Sequence, residues 1–182
     1  MKIKTSLLIT CLIAVISVAQ SPYAYAQEEN QQKRPVLYWA NFGIGTASGN
    51  SLSARVFTAN VNVNTNYGVL GLRYFVADDA GVHGFWDVTN GLKELSIMYG
   101  YSFQYGMFNM TGSAGLGYQS GEKRGPSFDG LYAYDVFTFP AQVTVSFQPV
   151  PFIGLGINFY GSYNSEQNYQ GTAVFIQLGR LR

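Results

Sequence analysis

The chain has 182 residues, of which 12% are charged and 16% aromatic, with 21 glycines and a formal net charge of +1. Globular proteins carry about a quarter charged residues, so there is too little charge here to clothe a water-facing surface. The Lys and Arg are scattered, which excludes a nucleic-acid-binding patch, and Cys11 as the one cysteine excludes a disulfide framework or a thiolate metal site.

The chain opens with Lys2 and Lys4, an apolar run over residues 7–18, and Ala24-Tyr25-Ala26 before Gln27. This is the pattern of a secretory signal peptide over residues 1–26 with an A-x-A cleavage site. An uncleaved membrane helix would need roughly 20 apolar residues. Cys11 lies inside the apolar run and too near the lysines to serve as a lipid-attachment site. Cleavage removes both lysines and brings the net charge to about −1. No later segment has the length of a helical span, so any membrane crossing uses strands. Residues 27–35, QEENQQKRP, read as a polar periplasmic lead-in, and residues 36–182 as one domain.

A first strand is expected over 36–46, with Tyr38, Ala40, Phe42 and Ile44 outward and Trp39, Asn41, Gly43 and Gly45 inward. The second, 53–63, sends Phe57, Ala59, Val61 and Val63 out against Thr58, Asn60 and Asn62, and Asn64-Thr65-Asn66 turns the chain. The third, 67–76, has Leu70, Leu72 and Tyr74 out, Gly71 and Arg73 in. A long aperiodic segment, ADDAGVHGFWDVTNG, follows. The fourth strand, 93–103, sets Leu95, Ile97, Tyr99, Tyr101 and Phe103 against Glu94, Ser96, Gly100 and Ser102, and the fifth, 107–119, sets Phe108, Met110, Ala114, Leu116 and Tyr118 against Asn109, Thr111, Ser113, Gly115, Gly117 and Gln119. SGEKRGPSFDG then reads as a second long loop. The sixth, 134–148, carries Pro140 in its middle, which predicts a bulge.

The seventh strand, FIGLGINFYGSY over 152–163, is the clearest. Ile153, Leu155, Ile157 and Phe159 alternate with Gly154, Gly156, Asn158, Tyr160 and Ser162, and the second face bears no charge. An apolar face opposed by small and uncharged polar groups suits a cramped polar interior with lipid outside. The eighth, 171–179, repeats the pattern with Thr172, Val174, Ile176 and Leu178 out. Connections are long after odd strands and short after even ones, the rule for outer-membrane barrels. The expected fold class is therefore all-β: an eight-stranded antiparallel up-and-down transmembrane β-barrel. Tyr38, Tyr101, Phe103, Phe108 and Phe147 would form a periplasmic girdle, and Tyr74, Tyr118, Phe137, Phe159 and Tyr163 an outer one.

On this pattern residues 36–182 resemble the small eight-stranded outer-membrane barrels of the outer-membrane protein A membrane-domain type. The resemblance implies a porin-like fold in the outer membrane of a Gram-negative bacterium, outer-membrane lipid as surroundings, and a monomer. One departure is the ending Leu178-Gly179-Arg180-Leu181-Arg182, where many such barrels finish on an aromatic residue.

An interior this narrow fills with side chains, so the expected function is structural, or surface adhesion and recognition through the external loops, with an extracellular ligand or protein as partner. No enzymatic activity, cofactor or metal is expected. Arg73 and Glu94, inward on adjacent strands, are expected to pair in the lumen, because an unpaired charge there is costly. His83, Phe85 and Trp86 in the first long loop are the external contact candidates. Two alternatives remain open. In a lipid A acyl-modifying enzyme, His83 with Ser127 would act at the outer rim, although Phe85 stands where the deacylase type has a serine. A soluble periplasmic lipocalin-like barrel would need a water-compatible exterior. Asp78, Asp79 and Asp87 lack the spacing of a calcium loop.

Overall fold

The computed structural model describes residues 36–49, 52–79, 91–124 and 131–181. Among them, eight strands follow one another: β1 (Leu37–Gly49), β2 (Ser53–Thr65), β3 (Gly68–Asp79), β4 (Gly91–Tyr105), β5 (Phe108–Arg124), β6 (Leu131–Val150), β7 (Ile153–Tyr163) and β8 (Tyr169–Arg180). Each pairs antiparallel with its neighbour in sequence, and β8 pairs back onto β1 (Trp39 opposite Gly179, Ile44 opposite Val174), so the sheet closes into a barrel with no free edge strand.

Burial alternates along every strand with the phase read from the sequence. In β7, Gly154, Asn158, Tyr160 and Ser162 are buried, while Ile153, Leu155, Ile157 and Phe159 are exposed. Across the barrel the large exposed apolar side chains are Leu, Ile, Val, Met and aromatics, while Asn, Gln, Ser and Thr make up half of the buried ones. This inversion of a water-soluble protein is stable only with hydrocarbon outside, since lipid gives exposed apolar groups no penalty and a closed barrel satisfies every strand internally. The ten girdle aromatics are all exposed. Tyr118 packs edge-on against Phe137 with ring centres 5.9 Å apart, and Phe108 lies tilted against Phe147 at 5.4 Å, across paired strands.

Three connections are two-residue turns: Asn66–Tyr67, Gly106–Met107 and Pro151–Phe152. They share one end, which the topology rule makes periplasmic. Gly106 has φ of +59°, a left-handed turn conformation that glycine adopts without steric cost.

Two expectations need correcting. Pro140 makes no bulge: the β5–β6 pairing lapses opposite it and resumes in the same register, from Ala114 opposite Ala141 to Gly117 opposite Thr138. Its missing amide hydrogen costs the ladder to β5 locally, while Pro140 stays opposite Ser162 on β7. The register shift lies instead between Phe147 and Val150, beside Pro149. The loop expected over 120–130 also opens as strand, since β5 runs to Arg124, which pairs opposite Leu131, while residues 125–130 lie outside the described residues. Above the lipid both faces of a hairpin meet water, so no apolar alternation is required and the sequence pattern fades.

Candidate functional site

The interior side chains are stacked in tiers. A tier toward the external end of the apolar band is built on Glu94, which β4 sends inward opposite Phe75 of β3. Its carboxylate pairs with the Arg73 guanidinium through Oε1 and Nη2, and both side chains are inaccessible to solvent. Arg73 stands opposite Ser96, two residues along β4 from Glu94, so the two reach each other diagonally across adjacent strands. Three hydroxyls complete the carboxylate's shell: Ser96 donates to Oε1 at 2.9 Å, Ser162 to Oε2 at 2.8 Å, and Tyr169 to Oε2 at 2.7 Å. Ser162 also shares a hydrogen bond with Thr138. Glu94 thus ties β3 and β4 to β7 and β8 across the lumen.

Arg73 is less well served. Nη2 also donates to the Tyr169 hydroxyl at 3.3 Å, and the guanidinium lies 5.5 Å from the Phe75 ring centre. Its Nε and Nη1 find no hydrogen-bond partner among the described residues, and neither do the amide oxygens of Asn41, Asn60 and Asn158. Asn60 stands directly opposite Arg73 on β2. Phe75 stacks on Tyr169 at 4.6 Å with 15° between the rings and meets Tyr160 edge-on at 5.2 Å, so aromatic rings pack the same level.

Toward the outside a second tier closes the mouth. Asn164, in the β7–β8 connection, accepts the backbone amides of Glu166 (2.8 Å) and Gln167 (2.6 Å) and donates to Gln119 at 2.9 Å. Gln119 donates to the Tyr134 hydroxyl at 2.8 Å, which donates on to Gln167 at 3.1 Å. The connection is thereby folded inward as a lid. At the periplasmic end Trp39, Val69 and Leu181 cluster, and Gln104, Gln148 and Gln177 are linked at 3.3–3.4 Å beside a cavity of about 40 Å³. Among the described residues, buried side chains lie at every level of the lumen between these two ends.

His83, Phe85, Trp86, Asp87 and Ser127 lie outside the described residues. Asp78 is half-buried on the outward face of β3 near its external end. Sequence reasoning missed Tyr169, which lies two residues before the expected start of β8. The inward alternation of Ala173 and Gly171, carried back one step, points to it.

A filled polar interior inside an apolar, girdled exterior defines a transmembrane β-barrel of the outer-membrane kind, and the outer membrane is its place. Solved structures share that fold. Neisserial surface protein A aligns with a TM-score of 0.58 at 12% identity over 79% of this chain and 96% of its own. Ail, the attachment invasion locus protein of Yersinia pestis, gives 0.54 at 13% over 79% and 96%. The N-terminal β-barrel domain of Pseudomonas aeruginosa OprF gives 0.54 at 12% over 80% and 99%. No protein-family model matches the chain, and no curated protein does.

Proposed function

We propose that the protein acts at the cell surface through its external end, as an adhesion or recognition element, without enzymatic activity and without conducting solutes. The observation that carries this reading is the filled lumen. With Arg73, Glu94, Phe75 and Tyr169 packed across the lumen and the Asn164 lid above them, the surfaces left to meet other molecules are the lipid-facing wall and the external connections. The β5–β6 hairpin supports it further. β6 pairs with β5 out to Leu131 but with β7 only from Phe139, so the hairpin runs on past the end of β7, bridged on that side by the Tyr132 and Tyr134 hydroxyls donating to Glu166 and Gln167 of the β7–β8 connection. A protein of the same fold, Ail, has been solved in complex with the heparin analogue sucrose octasulfate.

The test is binding of cells expressing the chain to immobilised heparin and extracellular-matrix proteins, with planar-bilayer conductance measured in parallel. Expression is expected to raise binding, and replacing residues 80–90 and 125–130 by short Gly-Ser turns to abolish the gain. Conductance should stay at the level of the protein-free bilayer. Steady ion conduction with no gain in binding would overturn the reading.

A further inference from the structure

We propose that the outward face of β2–β4 binds the phosphate groups of a lipid headgroup in the external leaflet, through Arg55 and Lys93. The inference rests on the membrane placement of the barrel and is independent of any adhesion role.

Both side chains are exposed and point outward, in phase with Phe57 on β2 and with Leu95 and Ile97 on β4. Arg55 stands opposite Asp78 on β3 and Lys93 opposite Val76, so the cations are two strands apart and offset by two positions. That offset sets them level. Traced once round the barrel through the paired residues, the register returns to β1 about ten residues nearer its external end, so each strand step climbs slightly more than one residue. Two steps of climb cancel the offset. The two Cα atoms therefore stand at nearly one height, about 12 Å apart.

Their height is that of the headgroups. From Lys93 down to Phe103 the outward side chains of β4 are Leu95, Ile97, Tyr99, Tyr101 and Phe103, all exposed. At the usual strand tilt this run rises about 25 Å, the thickness of the apolar band of such barrels. Lys93 and Arg55 cap the band at its outer edge. The same climb puts Tyr118 of β5, Phe137 of β6 and Tyr163 of β7 in their ring. At this height the outward side chains are thus aromatic on β5, β6 and β7 and cationic on β2 and β4, with Tyr74 of β3 lower in the wall.

Among the described residues neither cation is in an ion pair, although Asp78 is half-buried between them and about one residue higher. Two unpaired cations facing lipid, level with the headgroups and side by side, complement a phosphorylated headgroup: at this boundary a phosphate gains charge-assisted hydrogen bonds with little competition from water.

The test uses the protein purified from membranes and freed of bound lipid by detergent exchange. Retention of lipid A carrying both phosphates is compared with that of dephosphorylated lipid A by native mass spectrometry. Wild type should retain the phosphorylated form, and retention should fall between 50 and 500 mM NaCl, roughly one Debye-length regime to the next. R55Q/K93Q should weaken it roughly thirtyfold, whereas R180Q, which removes an exposed cation on β8 at the periplasmic end, should not. Equal retention of dephosphorylated lipid A by wild type would overturn the proposal without reference to any variant. So would undiminished binding by R55Q/K93Q that still shows the heat-dependent gel shift of a folded barrel.

Discussion

Replacing Glu94 by Gln keeps the size of the side chain and removes its charge, which isolates the contribution of the buried pair. Arg73 then keeps its full charge at zero exposure with Nε and Nη1 already unpartnered, and its contacts reduce to an amide oxygen and the Tyr169 hydroxyl. Breaking a buried pair from one side costs about 3–5 kcal/mol, and the poor coordination of Arg73 puts E94Q at the upper end. R73Q is the milder change. It strands the carboxylate instead, but Ser96, Ser162 and Tyr169 still donate to both its oxygens. Hydrogen bonds to a charged group contribute about 1.5–3 kcal/mol each, so R73Q should cost about 2 kcal/mol less than E94Q. In R73Q/E94Q no charge remains, and the double variant should lie well below the sum of the singles, with a coupling of about 2–3 kcal/mol. The assay is urea unfolding in lipid vesicles, followed by tryptophan fluorescence and by heat-dependent gel mobility. An E94Q cost below about 1 kcal/mol, or strict additivity in the double variant, would refute the reasoning.

Two further outcomes follow from the geometry. Ile97 is exposed near the middle of the apolar band, so I97R should cost about 2–4 kcal/mol in vesicles; the same unfolding assay checks it, and a neutral result would deny the lipid-facing assignment of β4. Gly156 lies between the Val145 carbonyl and the Phe175 ring, where an added Cβ would overlap the backbone oxygen and sit 2.5 Å from the ring Cζ. G156L should therefore abolish the heat-dependent shift, and F175A should not restore it, because the Val145 carbonyl remains in the way; full rescue in G156L/F175A would show that the ring alone excludes a side chain there.

How much was legible depended on where lipid lay. Within the apolar band the demand on each residue is binary, lipid outside and a cramped interior inside, so the alternation in β7 and β4 gave face, phase and strand count directly from the chain. The inward positions of Arg73 and Glu94 followed from the same period of two. Outside the band that demand vanishes, which is why the continuation of β5 to Arg124 and of β6 back to Leu131 has no periodic signature, and why the alternation places the start of β8 at residue 171 and not at Tyr169. Pro140 misled because its cost depends on which neighbour its nitrogen faces, a property of pairing and absent from the chain itself.

By itself, then, the sequence determined an inside-out sheet of eight strands, because side-chain orientation along a strand is local and repeats every two residues. Only the tertiary structure decided which inward groups share a tier. The barrel's slope brings Ser162 and Tyr169, from strands far along the chain, to the oxygens of Glu94, and the same slope levels Arg55 with Lys93. Both arrangements depend on closure of β8 onto β1 with a fixed stagger, and that stagger is set by the register of all eight pairings together.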